Sequence, residues 1–303
     1  MRRAIGAFGR ILVTVGILIL LFVGYQLWGT GLYTAREQSR LKDQFAQQLE
    51  KVDTSPAPTA TTTPPPPAPS GEAMAVIRIP KIGIESAVVG GVGVEDLRKG
   101  PGHYPETPLP GQLGNAAIAG HRTTYGQPFN RLDELSPGDE IEVTTLAGSY
   151  RYVVDPQTDP DGNVSGHVVV QPNQVEVLQP TPNPTLPGTD FATLTLTTCN
   201  PKFSAAQRLI VRATWKPATD VSPEPTKPST RTVAASNLGL SGESSSISPL
   251  IGWGIILAFV GGLWWWLFHR YRRWTTWFVG VVPFLIVLFS FYTNLERVLP
   301  SNY

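Results

Sequence analysis

Three long apolar runs without a charged residue, at 11–28, 251–268 and 274–292, constrain this chain more than any other feature. Each is about as long as a helix must be to cross a ~30 Å hydrocarbon layer. Between them, once proline-, threonine- and serine-rich stretches are set aside, residues 72–216 remain as one folded domain of ordinary size, which cannot also bury three apolar helices in its core. The expectation is three transmembrane helices and one folded domain. Arg2, Arg3 and Arg10 precede the first run, and arginine on that flank places the N-terminus in the cytoplasm. A cleaved signal peptide is the alternative for this run. Signal peptides usually have an apolar core of ~7–15 residues and a small-x-small cleavage site, and Gly29-Thr30-Gly31-Leu32-Tyr33-Thr34-Ala35 offers no such pattern, so the run reads as an uncleaved anchor. His269-Arg270-Tyr271-Arg272-Arg273 leaves room only for a tight hairpin between the later runs, and its arginines put that hairpin on the cytoplasmic side. Trp264, Trp265, Trp266 and Trp274 suit the adjacent headgroup level.

The resulting plan is a multi-pass protein of the cell membrane. It has a cytoplasmic N-terminus (1–10), a transmembrane helix (11–28), a juxtamembrane helix and Pro/Thr-rich linker (29–72) and an extracellular domain (73–216). A disordered linker (217–249), a second span (250–268), a basic cytoplasmic loop (269–273), a third span (274–293) and an extracellular C-terminus (294–303) follow. Within the first linker, Leu41, Phe45, Leu49 and Val52 recur on one helical face, so a helix is expected over 36–52. Residues 54–70, with Pro64 to Pro67 at their centre, cannot pack a core and read as an extended polyproline-like spacer.

The extracellular domain reads as mostly β. Segments 75–79, 83–88, 115–120, 140–144, 150–154, 167–170, 191–198 and 209–215 are β-branched or alternate in polarity, and 145–149 has the composition of a hairpin turn. Short strands at frequent turn signals imply a closed barrel or a sandwich, with 129–135 and 173–178 as short helices on its surface. The net charge of +1 and the lack of a basic stripe argue against a nucleic-acid partner.

Cys199 is the only cysteine, so the domain has no internal disulfide and the thiol stays free. Exposed thiols oxidise, whereas buried ones behave as small hydrophobes, and both readings are open on position alone. A cysteine nucleophile needs a base or cation, a donor for the developing oxyanion and a substrate groove. His269 falls in the cytoplasmic loop. His121 ends the apolar segment 115–120 and opens a polar loop, a common placement for catalytic groups. His103 lies in a turn-rich loop and His167 opens a strand. For each, an ordinary core or surface histidine is an equal alternative, and spacing ranks His121 first.

Thr195-Leu196-Thr197-Thr198-Cys199 has the form T-L-x-T-C, Arg208-Leu209-Ile210-Val211 opens a strand downstream, and Ala119-Gly120-His121-Arg122 lies upstream. In these segments, and in Ile79-Pro80-Lys81-Ile82, residues 73–216 resemble the sortase family. The resemblance implies a closed, sortase-type eight-stranded β-barrel with short helices, anchored to a membrane with the catalytic domain outside. Gly100 to Pro105 and Gly120 to Phe129 are most similar to class E sortases of high-GC Gram-positive bacteria, which are associated with L-A-x-T-G sorting signals. C-terminal membrane segments also occur in pilin-polymerising class C enzymes, but their Asp-Pro-aromatic lid motif is absent before the first strand. The implied chemistry is cysteine transpeptidation. Cys199 attacks the Thr–Gly amide of a surface protein's C-terminal sorting signal, His121 moves the protons, and Arg208 stabilises the oxyanion or holds substrate carbonyls. The thioester then passes to an amine of a peptidoglycan precursor of the lipid II type. Tyr125, Thr124 and Thr198 are the candidate substrate-binding residues. Tyr125 is expected to fill the space that alanine leaves where other signals carry proline. No metal ligand and no cofactor is assigned. A hydrolytic cysteine peptidase, a pilin polymerase and a non-enzymatic surface scaffold with an incidental cysteine are the rival readings.

Overall fold

A computed structural model describes residues 2–53, 69–179, 192–216, 247–271 and 274–298. The core of the expected polyproline spacer, most of the second linker, the end of the basic loop and the C-terminal tail lie outside these residues. The helices are α1 (Arg2–Gly24), α2 (Thr30–Asp53), α3 (Val94–Leu97), α4 (Ser248–Tyr271) and α5 (Trp274–Val298). The strands are β1 (Ala73–Ile79), β2 (Ile84–Gly90), β3 (Gly102–His103), β4 (Gly114–Ala119), β5 (Glu140–Thr145), β6 (Gly148–Val154), β7 (Gln157–Thr158), β8 (Val164–Ser165), β9 (Val168–Val170), β10 (Ala192–Asn200) and β11 (Gln207–Trp215). The chain divides into two compact units, one of Met1–Gln26 with Glu243–Ser301 and one built on Leu27–Gly242.

In the second unit the strands run β10-β4-β3-β2-β1-β5-β6-β11, and β11 pairs back onto β10, so eight strands close a ring. β9 adds to the first residues of β11, and β7–β8 is a separate hairpin. Alternation sorts the side chains. Ile141 and Val143 of β5 and Tyr150, Tyr152 and Val154 of β6 are buried, while the residues between them are exposed or half-buried. On the closing strands, Leu194 and Leu196 face the interior with Leu209 and Val211. Their odd-numbered neighbours Thr195 and Thr197 lie on the outer face, with Ala117, Ala119 and Ile210. That outer face is partly roofed by Leu97, Tyr104, Val177 and Leu178. The two expected surface helices are short 3₁₀ turns, Leu132–Glu134 and Val175–Leu178. β3, β7, β8 and α3 have two to four residues each, too few for a periodicity to mark them.

The expected juxtamembrane helix is α2, longer at both ends than its apolar stripe. Leu41 and Phe45 are buried against Ala73, Ala87 and Val89 of the barrel, with Leu49 partly buried beside them. Val52, on the same stripe, is 47% exposed.

The other unit corrects the expectation of three spans. α4 and the stretch Phe278–Glu296 of α5 are long and apolar enough to cross a membrane. Gly254 and Gly261 of α4 face the rings of Phe291 and Phe284 of α5, so the two helices approach closely. The N-terminal run falls short. Among the described residues its apolar helix is Leu12–Gly24. It then passes through a π-helical turn, Tyr25–Gly29, into polar α2.

Phe45→Ala should lower the stability of the barrel unit by about 3–5 kcal/mol in urea unfolding, since it empties a fully enclosed aromatic site. Val52→Ala on the same helix should change it by less than about 0.5 kcal/mol. Equal effects would mean that α2 is not docked through Phe45.

Candidate active site

The site is built from strand register. β4 and β10 run parallel, pairing Gly114 with Ala192 through to Ala119 with Thr197. Continued by two residues, the same register brings His121 level with Cys199. Two bonds carry the pairing past the strand end: the Gly120 N–H donates to the Thr197 carbonyl at 3.1 Å, and Thr198 Oγ1 donates to the Gly120 carbonyl at 2.8 Å. On the other side, Cys199 pairs directly with Arg208 across β10–β11. Directly opposed residues on antiparallel strands share a face. Cys199 and Arg208 therefore lie on the outer face with Thr197, and His121 stands at the end of the third strand. Gly120 is needed where β4 leaves the barrel, because a Cβ there would lie 2.6 Å from the buried ring of Phe129. Phe129 in turn donates its N–H to the His121 carbonyl at 3.1 Å, folding the loop back under the histidine.

The electrostatics of the thiol are dominated by burial. Cys199 is fully buried, and desolvation pushes its thiol up to about 11; Arg208 first and Arg122 second pull the other way without offsetting it. The resting residue is a neutral thiol at neutral pH. Arg208 is 3% exposed, and its Nη1 donates at 3.0 Å to the carbonyls of both Ala205 and Gln207, which fix its guanidinium at the base of the β10–β11 turn. His121 is buried; Thr124 Oγ1 lies 3.3 Å from its Nδ1, and the Tyr125 ring packs on the imidazole with centroids 5.1 Å apart.

The other histidines of the barrel sit in different surroundings. His103 is buried in β3, with Nε2 2.8 Å from the Pro108 carbonyl and 3.1 Å from Thr107 Oγ1. The Thr107 hydroxyl donates to the Tyr104 carbonyl, so the hydrogen between His103 and Pro108 belongs to His103 Nε2. Burial lowers its pKa to about 4, which makes it a neutral structural imidazole. His167 is half-buried beside β9.

Residues 77–216 match the sortase domain family. Sortase SrtE1 of Streptomyces coelicolor is 31% identical over 212 residues, covering 68% of this chain and 55% of that protein. The chain thus spans little more than half the length of that relative. Sortase D of Bacillus subtilis is 27% identical over 145 residues, covering 47% of this chain and 71% of that protein. Among solved structures, sortase E from Streptomyces avermitilis is 38% identical, covering 49% of this chain and 91% of that one, with a TM-score of 0.41. The chain belongs to the sortase family.

Within this sortase the residues expected to touch substrate have varied settings. Tyr125 is 5% exposed, and its ring contacts both the His121 imidazole and the Arg98 guanidinium, whose carbon is 5.4 Å from the ring centroid. The Thr124 hydroxyl lies against the imidazole, and the Thr198 hydroxyl is engaged by the Gly120 carbonyl on the inner side of β10. Tyr104 stands nearer the outer face, with its Oη 3.3 Å from Thr197 Oγ1. Arg122 was not singled out by sequence reasoning. It is 3% exposed and donates from Nη1 to the Cys199 carbonyl at 2.9 Å and to Asn200 Oδ1 at 2.8 Å, while its Nη2 pairs with Asp133 at 3.2 Å. One guanidinium thus clamps the histidine loop to the end of the cysteine strand. Its one sequence signal was adjacency to His121.

The thiol's environment predicts its titration. Thiolate absorbance at 240 nm, taken as the difference between wild type and Cys199→Ala so that the tyrosines cancel, should rise with a midpoint near 11, and Arg208→Gln should move the midpoint upward, because the larger opposing charge is removed. A midpoint near the ordinary thiol value would refute the burial argument. His103 predicts an acid limb of stability. Between about 4 and the unperturbed 6.5 the unfolded chain binds a proton that the folded chain refuses, so stability is complete above 6.5 and falls by about 3 kcal/mol as pH drops through that window. His103→Gln should flatten this dependence in urea titrations.

Proposed function

We propose that the chain is a membrane-anchored transpeptidase that cleaves the Thr–Gly bond of an L-A-x-T-G or L-P-x-T-G sorting signal and transfers the surface protein to an amine of a peptidoglycan precursor. The observation that carries this reading is the register of β4, β10 and β11, which brings a thiol, an imidazole and a guanidinium to one end of three neighbouring strands. In the proposed cycle Cys199 Sγ attacks the threonine carbonyl, and its proton passes to His121 as the bond forms, since the buried thiol does not ionise beforehand. Arg208 presents its guanidinium to the oxyanion. His121 returns the proton to the leaving glycine amine as the C–N bond breaks, leaving the thioester. The acceptor amine then attacks the thioester and gives a proton to His121, which passes it to Cys199 Sγ as the S–C bond breaks, restoring the neutral thiol and leaving the new amide. Thr124 and Tyr125 act at the substrate site through the imidazole they border, and Thr198 through the β4–β10 rung it closes. The match to class E relatives supports the alanine-type signal, and α4 and α5 support membrane anchoring.

Incubation with a sorting-signal peptide and an amine acceptor tests this. The wild type should give the amide product, and Cys199→Ala should give neither product nor thioester. His121→Ala should lose about 10²–10⁴-fold in rate and Arg208→Ala about 10²–10³-fold, while His103→Gln and His167→Ala stay within a few-fold. Hydrolysis that acceptor amine cannot divert would overturn transpeptidation in favour of a peptidase. In the topology arm, an impermeant thiol reagent on intact cells should label cysteines placed at Ser55 or Ser229 and not at Tyr271. Labelling at Tyr271 from outside would reverse the orientation.

A further inference from the structure

The loop that carries the acid–base histidine is an unusual stretch of backbone. Tyr125 and Gln127 have φ of +50° and +43°, and Gly126 between them has +73°, so three successive residues sit in the left-handed region. Non-glycine residues hold such conformations where surrounding structure imposes them. Here part of that structure comes from far away in sequence. The Tyr125 N–H points at Thr30 Oγ1 of α2 at 3.4 Å, and a Cβ on Gly126 would lie 3.2 Å from Thr34 Cγ2. Thr34 Oγ1 also donates to the Arg98 carbonyl at 2.8 Å, and Arg98 spreads its guanidinium over the Tyr125 ring. One turn on, Gln38 uses the full capacity of its amide. Nε2 donates to the Lys99 and Ala87 carbonyls at 2.8 and 3.0 Å, and Oε1 accepts from the Ala87 N–H and Ser86 Oγ at 2.7 and 2.8 Å.

Thr30, Thr34 and Gln38 are spaced four apart, on one face of α2. The seam they make with the loop is not tightly packed. A cleft of about 230 Å³ remains there, lined by Thr34, Gln38, Ser86, Tyr125, Gly126 and Pro128 among others. Hydrogen bonds therefore carry the coupling at this end, whereas apolar packing at Leu41 and Phe45 carries the docking at the other.

We propose that α2 is a positioning element of the active site: Thr30, Thr34 and Gln38 hold Arg98 and Tyr125 so that the Tyr125 ring fixes the His121 imidazole. The role of His121 rests on the transpeptidase reading above; the contact of α2 with its loop does not. The test uses the full chain in detergent micelles. Gln38→Leu and Thr34→Val remove the hydrogen bonds at nearly constant volume, Thr34→Ser restores the hydroxyl, and Lys42→Ala removes an exposed α2 ion pair to Glu85 that does not touch the loop. With a sorting-signal peptide, Gln38→Leu and Thr34→Val should lower kcat at least tenfold with KM within twofold. Thr34→Ser and Lys42→Ala should behave as wild type. Alkylation of Cys199 by iodoacetamide should be unchanged in all four. In histidine-labelled protein, the His121 ring resonance, identified by its loss in His121→Ala, should move or split in Gln38→Leu and Thr34→Val only. An unchanged kcat with an unmoved resonance overturns the proposal. So does a parallel change in alkylation, above all a gain, which would mean that the whole site had loosened around the buried thiol. Should Gln38→Leu fail to fold, Thr34→Val, which loses fewer bonds, decides. A wild type that forms no thioester at Cys199 would sink the transpeptidase reading, and the resonance alone would then judge α2.

Discussion

β10 has a neighbour on each side, and the geometry of the site depends on that placement. It pairs parallel with β4 and antiparallel with β11, and the β10–β11 pairing is also the one that closes the eight-stranded ring. Closing the barrel and assembling the site are thus the same event. Because the side-chain period of a strand is two, a slip of one residue between β10 and β11 would turn Leu194 and Leu196 outward and Cys199 inward. The buried pairs of Leu196 with Val211 and Leu194 with Ala213 oppose that slip with the whole apolar interior. The relative placement of Cys199 and Arg208 is in this way fixed by hydrophobic burial rather than by any attraction between the two.

That division of labour explains why the thiol can be left so unreactive. If mutual charge were needed to bring cysteine and histidine together, a thiolate–imidazolium pair would have to persist at rest. Here the register and the Arg122 clamp hold the backbone, and the thiol stays desolvated and neutral. A neutral buried thiol resists oxidation better than an exposed thiolate does. In the proposed cycle the cost is borne at the moment of attack, when the proton moves as the sulfur–carbon bond forms, and the Arg208 and Arg122 charges beside the thiol would act on the negative charge that develops there.

The barrel was legible in the sequence wherever one physical signal ruled. The β5–β6 hairpin, with alternating Ile141, Val143, Tyr150 and Tyr152 around a short turn, is found within a residue or two of the expected boundaries. β10 is hydroxyl-rich where an interior strand would be aliphatic. It was still recognisable as a strand, because Leu194 and Leu196 alternate with threonines that face a second layer rather than water. β3, only Gly102 and His103, was invisible, since two residues have no period; it exists because it fills the gap between β2 and β4. The same tertiary reason hid the purpose of His103, whose surroundings come from Thr107 and Pro108 rather than from its own strand. At the site, Cys199, His121 and Arg208 were legible because each lies at the end of a recognisable strand. Arg122 and Tyr104 were not, because their partners are contributed by another strand.

Polar α2 is held to the barrel by two different means. Leu41 and Phe45 supply non-directional burial, which tolerates a small rotation of the helix. Gln38 supplies four directional bonds, which do not. An amphipathic stripe predicts the first kind of contact, since it appears as a period in the sequence. A lone glutamine among polar neighbours gives no such trace. Its importance follows only from what it meets: Ser86 and Ala87 on one strand, and the Lys99 carbonyl beside the arginine that covers Tyr125. Directional contacts transmit position and apolar ones transmit only attachment, so the end of α2 nearest the histidine loop is the end where the polar residues stand.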